Sequence, residues 1–202
     1  MTFAKVATDA FKNIQLNAGV VLSTFDPATA IIQDADIMGA TSGGTNITAI
    51  PTFKDYGEDI DNCPKNTKEL KKLDSWEIKA TGTFISISDK TAKSLLALAD
   101  TDTQDTGHIT IRDEVKDEDF NDFWLVADYG EGGVIACHLM DALSTGGFQI
   151  QTGDRTKGQF AFEYTAHYSM KNQDKVPFEI YIKQDGTTFP HSSSGQTKEV
   201  AA

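Results

Sequence analysis

Residues 158–169 read GQFAFEYTAHYS, and their alternation decides the fold. Phe160, Phe162, Tyr164, Ala166 and Tyr168 fall on one side of an extended chain. Ala161, Glu163, Thr165, His167 and Ser169 fall on the other. A period of two over this length marks a half-buried β-strand. The same period recurs on both sides of it. Ile14–Leu22, Thr45–Phe53, Trp76–Ile87, Phe120–Tyr129, Gly133–Leu143, Gly147–Thr152 and Val176–Lys183 all read as strands, with turns at Asp128–Gly133, Ser144–Gly147 and Gly153–Lys157. Gly39–Gly44 reads as a flexible turn, and Gly82 within a strand predicts a bulge or a close approach.

One helix breaks the series. Ala92, Leu95, Leu96 and Ala99 have helical spacing, which predicts a helix over 89–100 capped by Asp89. No internal repeat or linker divides the chain. The expectation is a single mainly-β domain over 1–202, a β-sandwich or barrel with one flanking α-helix. Its core spans 14–183. Residues 1–13 form an N-terminal arm with apolar residues at helical spacing. Residues 184–202 form a polar, turn-rich C-terminal arm.

Between two of the strand patterns lies FKDYGEDIDNCPKNTKELKKLDSWE, Phe53–Glu77. A connection this long, taken as 54–75, is usually functional or disordered. Its charge is sorted: Asp55, Glu58, Asp59 and Asp61 come first, then Lys65, Lys68, Lys71 and Lys72, interrupted by Glu69. Disordered linkers lack large apolar residues, yet Phe53, Tyr56, Ile60, Leu70, Leu73 and Trp76 are all here. The stretch reads as a docking element. Asn66 and Glu69 have capping-box spacing, which predicts a short helical turn presenting Leu70 and Leu73.

The chain of 202 residues carries a net charge of −12. Asp100–Asp122 holds nine acids against Arg112 and Lys116. Arg112 and Arg155 are its only arginines. That balance argues against tight nucleic-acid binding. The acidic stretch reads as a solvated face. No run reaches the length of a membrane span, and the first residues lack a signal-peptide layout, so a soluble, unprocessed protein is expected.

Catalytic and metal signatures are weak. Cys137 and His138 are adjacent on a strand, so their side chains point to opposite faces. Cys63 and Cys137 have neither metal nor redox spacing, and free thiols are expected. The run from Asp100 has Asp105 and Ile111 where a calcium loop needs Gly and Glu. The histidines at 108, 138, 167 and 191 show no ligand spacing, and the glycines from Gly39 precede a strand instead of a phosphate-binding helix. The expectation is a non-enzyme with no cofactor and no metal.

Four stretches carry a resemblance: Phe53–Glu77, LSTGGFQIQT from Leu143, KGQFAFEYTAHYSM from Lys157, and VPFEIYI from Val176. Together with the order of elements over roughly 14–183, they resemble the major tail protein family of siphovirus-type bacteriophages and related prophages. The resemblance implies a tail tube subunit of the virion, made and assembled in the bacterial host cytoplasm. Its partners would be further copies of itself, in stacked, six-membered rings around a lumen, with tape measure and terminator proteins. DNA would pass without tight binding, and no membrane would be entered. The long loop would bridge rings through Phe53, Tyr56, Glu58, Asp59, Asp61, Lys65, Lys68, Leu70, Lys71, Lys72, Leu73 and Trp76. Candidates for an acidic lumen or outer surface are Asp113, Glu114, Asp117, Glu118, Asp119, Glu163 and Glu179. The alternatives are a tube or ring component of a contractile tail or phage-like injection particle, and a monomeric β-sandwich binding module.

Overall fold

The structure is a computed structural model of the chain, and it describes residues 10, 14–15, 17–29, 31–102, 104–105, 107–130 and 133–183. The expected arms at 1–13 and 184–202 therefore lie outside the described residues, save Ala10. The elements in order are β1 (Val20–Leu22), β2 (Ile37–Gly39), β3 (Thr41–Asp55), β4 (Lys71–Phe84), α1 (Asp89–Leu96), β5 (Ala99–Thr101), β6 (Ile109–Ile111), β7 (Asn121–Tyr129), β8 (Gly133–Ser144), β9 (Gln149–Gln151), β10 (Gln159–Ala166) and β11 (Phe178–Lys183). The fold is mainly β with one α-helix.

Nine strands join in one hydrogen-bonded network ordered β2-β1-β7-β8-β10-β4-β3, with β11 also on β8 and β9 also on β10. All the pairings are antiparallel. The network is continuous because one edge of β8 serves two strands: Ala142–Ser144 pairs with β10, and Val134–Leu139 pairs with β11. β5 and β6 make a separate two-stranded hairpin.

The alternation of β10 works as its sequence predicts. Phe162 and Tyr164 are buried, while Glu163 and Thr165 lie on the opposite face. Phe162 stacks on Phe84 with ring centroids 4.4 Å apart, and Tyr164 lies 5.1 Å from the Phe123 ring. Burial of each such ring contributes about 1.5–3 kcal/mol. Gly82 is the close approach: a Cβ there would stand 2.6 Å from the Phe162 ring. The ring needs that space to reach Phe84.

α1 is tied to this core by two hydroxyls. Tyr164 shares a 2.8 Å hydrogen bond with Ser94, and Ser144 donates to the Leu95 carbonyl at 3.0 Å. Burial pushes the Tyr164 phenol up to about 12. The helix is shorter than its apolar spacing predicts. Ala97 takes φ 61° and ends it, which frees Ala99 to enter β5. Ser88, not Asp89, is the cap, accepting from the Thr91 N–H.

Two more boundaries differ from expectation. The predicted strand from Ile14 shrinks to β1, because Gly19 (φ 75°) turns the chain and Gln15 makes only an isolated bridge to Tyr129. Gly39–Gly44 is no free turn. Gly43 and Gly44 have φ 80° and 83° and form a bulge inside the β3–β4 ladder, between Thr41 and Thr45. No helix of the described residues is long and apolar enough to cross a membrane.

Candidate assembly interface on a charged hairpin

The stretch expected as a loop over 54–75 is a long β-hairpin. β3 and β4 stay paired through Phe53↔Leu73, Lys54↔Lys72 and Asp55↔Lys71, so strand structure absorbs both ends of the predicted loop. A register shift between Thr52 and Phe53 hid this continuity, because it breaks the period of two on one strand only.

Residues 56–70 form the tip, and Asp55 organises it. Its carboxylate accepts from Gly57 N–H at 2.9 Å and from Asn66 N–H at 2.8 Å. Those two backbone donors, Gly57 first, hold its carboxyl below the usual range. Thr67 Oγ1 donates to the Pro64 carbonyl at 2.7 Å, and Lys71 donates to Asn66 Oδ1 at 3.3 Å. Gly57 is buried at the centre: a Cβ there would meet Leu70 Cδ1 at 3.1 Å, Asp55 Oδ1 at 3.2 Å and Cys63 Sγ at 3.3 Å.

This geometry separates residues that the sequence grouped. Leu70 ends a short 3-10 turn (Lys68–Leu70) and packs inward, so it anchors the tip. Leu73 lies on β4 and is half exposed. The capping box does not form: Asn66 takes φ 61°, Thr67 precedes the turn, and no side chain caps it. Trp76 is partly buried against the core. Glu58, Asp59, Asp61, Lys65, Lys68, Lys71 and Lys72 are all exposed.

Aromatics and lysines share the outer surface of the hairpin and its tip. Phe53 and Tyr56 are each 52% exposed, and Leu73 and Ile60 about as much. The Lys71 ammonium sits 5.4 Å from the Phe53 ring centroid. Lys54 and Lys72, directly opposite in register, lie 5.5 and 5.6 Å from the Tyr56 ring centroid. Such distances fit cation–π attraction.

The acidic stretch is built differently. Arg112 pairs with Asp119 and, at 3.2 Å, with Asp100, and it also donates to the Glu114 carbonyl. Asp119 is buried, so it is no surface or lumen residue. Burial pushes its carboxyl up, but Arg112 and the Lys116 N–H outweigh that and leave it below the usual range. Asp113, Glu114, Asp117 and Glu118 stay exposed around this anchor.

Glu163 and Glu179 face neither region. Glu163 lies on the outward face of the β10–β4–β3 sheet, where Thr165–Lys79–Thr48 and Glu163–Thr81–Asn46 form polar rows. Thr145 donates to Glu163 at 3.1 Å, and Lys79 bridges Glu77 at 2.6 Å and Glu163 at 3.8 Å. Glu179 accepts from Tyr181 at 2.5 Å and pairs with Lys175 at 3.0 Å, both of which hold its carboxyl down.

The strand faces separate Cys137 from His138. Cys137 sits opposite Ile180 and Leu125, and burial pushes its thiol up. His138 stacks on Trp124 at 3.7 Å, with Asp122 3.2 Å from Nε2 and Glu179 3.9 Å from Nδ1. Sequence reasoning missed this arrangement, since its parts come from three strands. His167 makes a 3.3 Å hydrogen bond with the Asp141 carbonyl and packs edge-on to Phe120. A cleft of about 690 Å³ runs between α1, β2 and the start of β7. Several of its polar groups are held internally: Thr91 by the Met38 carbonyl, Ser94 by Tyr164 and Asp119 by Arg112. Among the described residues, no group of three His, Cys, Asp or Glu side chains is placed to hold a metal ion.

No protein-family model matches this chain, and no curated protein matches it.

Proposed function

We propose that this chain is a structural subunit that assembles with copies of itself, as the tail tube subunit its sequence resembles. The hairpin carries the reading. It combines an internally fixed tip with half-exposed Phe53, Tyr56, Ile60 and Leu73. A rigid, apolar, charged projection meets a partner at low entropic cost. In stacked rings the hairpin is the axial connector.

Two further features support assembly. β3 ends the sheet order, so one edge of a 15-residue strand has no neighbour among the described residues. Pairing that edge with the next subunit would protect it from uncontrolled aggregation. The outward rows of Thr, Asn, Lys79 and Glu163 offer a polar, nearly neutral face suited to a wet channel. In this reading Glu163 faces the lumen, and passing DNA finds no basic footprint there.

The half-exposed Phe53 and Tyr56 also fit the platform of a monomeric binding module. One variant separates the readings. Replacing residues 56–70 with an Asn-Gly turn keeps the strand register and removes the tip. Under electron microscopy the wild type should form tubes and the shortened chain only single rings. Equal tube formation by both would refute the connector role. A wild type that stays monomeric while binding a glycan or receptor would favour the module.

A further inference from the structure

We propose that the lysine–aromatic face of the hairpin docks on the acidic loop 113–118 of a second copy of this chain. The inference rests on the assembly reading above and names the surface that receives the hairpin.

The motive is a charge anomaly. Lys54 and Lys72 stand directly opposite each other on antiparallel strands. Like charges in that position destabilise a ladder. Among the described residues, neither has a carboxylate within ion-pair distance. In a chain of net charge −12, carboxylates are abundant and these two lysines avoid them. Both gather over Tyr56, with Phe53 and Leu73 half exposed on the other side of the hairpin. The hairpin's own acids at Glu58, Asp59 and Asp61 do not reach them. An anionic, partly apolar surface from outside fits this face.

The 113–118 loop is such a surface. Arg112 and Asp119 pin its two ends together. Among the described residues, Asp113, Glu114 and Asp117 pair with no cation. A purely solubilising loop would be polar throughout, yet Ile111 is 72% exposed and Val115 57%. Each surface thus joins unpaired charge of one sign to bare apolar groups. Because the two surfaces differ, the contact is heterologous, the kind that propagates from copy to copy. Nucleic acid fits less well, since the net charge repels phosphate.

Charge reversal tests the pairing on the full chain. Sedimentation gives the concentration of half-assembly, and circular dichroism checks the fold. K54E/K72E alone, and D113K/E114K/D117K alone, should each raise that concentration at least ~10-fold. The combined reversal should restore it to within ~3-fold of wild type. The neutral K54Q/K72Q variant should fall between. Rescue by the combination establishes the pair. Two defective reversals without rescue overturn the acidic loop as receptor and leave the hairpin as connector. Reversals that assemble like wild type also overturn the pairing. A wild type monomeric at every salt concentration overturns both readings. Retention of DNA by wild type that K54E/K72E abolishes would replace the second copy with nucleic acid.

Discussion

The hairpin and the acidic stretch are both dense in charge, and they use it in opposite ways. In the acidic stretch the cations turn inward, and Asp113, Glu114 and Asp117 are left exposed with no cation among the described residues. Arg112 takes Asp100, Asp119 and a backbone carbonyl, and Lys116 adds a second contact to Asp100 at 3.3 Å. In the hairpin, one charge turns inward, at Asp55, and the lysines stay on the outside with aromatics beside them. Counting charges does not tell which sign a region braces and which it presents. The position of a single partner does.

Arg112 offers the largest break in that contrast. Arg112→Met leaves Asp119 buried without its cation, the costly way to open an ion pair. It should lower the thermal midpoint more than any hairpin substitution and loosen 112–119. Lys54→Gln with Lys72→Gln should leave the midpoint unchanged or slightly raised, because it removes a like-charge pair in register. Calorimetry on the two variants checks both. Equal losses would mean that the two regions do not differ as described.

The next effect is local. Asp55→Ala should leave the body folded but expose the amides of Gly57 and Asn66 to hydrogen exchange. The same carboxylate gives a pH prediction. Its folded pKa lies below the unfolded value of about 3.9. The tip's stabilisation is therefore fully present above that value and is lost as pH falls through the lower, folded one. Protection of the Gly57 and Asn66 amides, measured against their intrinsic exchange rates, should hold at pH 5 and fall only below ~4. Loss of protection near pH 6 would exclude Asp55 as the organiser.

The smallest effect lies outside both regions. Ser88→Ala should cost about 1 kcal/mol through its lost cap, and Asp89→Ala clearly less. Chemical denaturation of the two variants orders them, and the reverse order would contradict the capping geometry.

Much of this was legible in the sequence. β10 showed its buried and exposed faces because its period of two is unbroken over its whole length. The hairpin did not, for physical reasons. The register shift leaves Asp74 as an extra residue that disrupts alternation in β4, and Lys54, Lys71 and Lys72 look like loop charges although they sit on strands. Gly43 and Gly44 signal a turn wherever they occur, yet here they make a bulge. The end of α1 was hidden because Ala97, an excellent helix former, adopts a positive φ. The Arg112–Asp119 pair was invisible because burial is set by packing between elements. Leu70 and Leu73 looked equivalent, but one anchors the tip and the other faces outward. A Leu70→Asp variant would therefore damage the tip itself, so Tyr56→Asp, on the half-exposed face over which Lys54 and Lys72 gather, is the cleaner probe of contact.

In the proposed assembly the hairpin joins one copy of the chain to the next. An electron-microscopy map of the assembled protein decides the matter. Stacked rings are expected, with residues 56–70 crossing the boundary and the Tyr56 face against a neighbouring copy. A map with the hairpin folded back on its own subunit, or a chain that never assembles, would contradict that assembly.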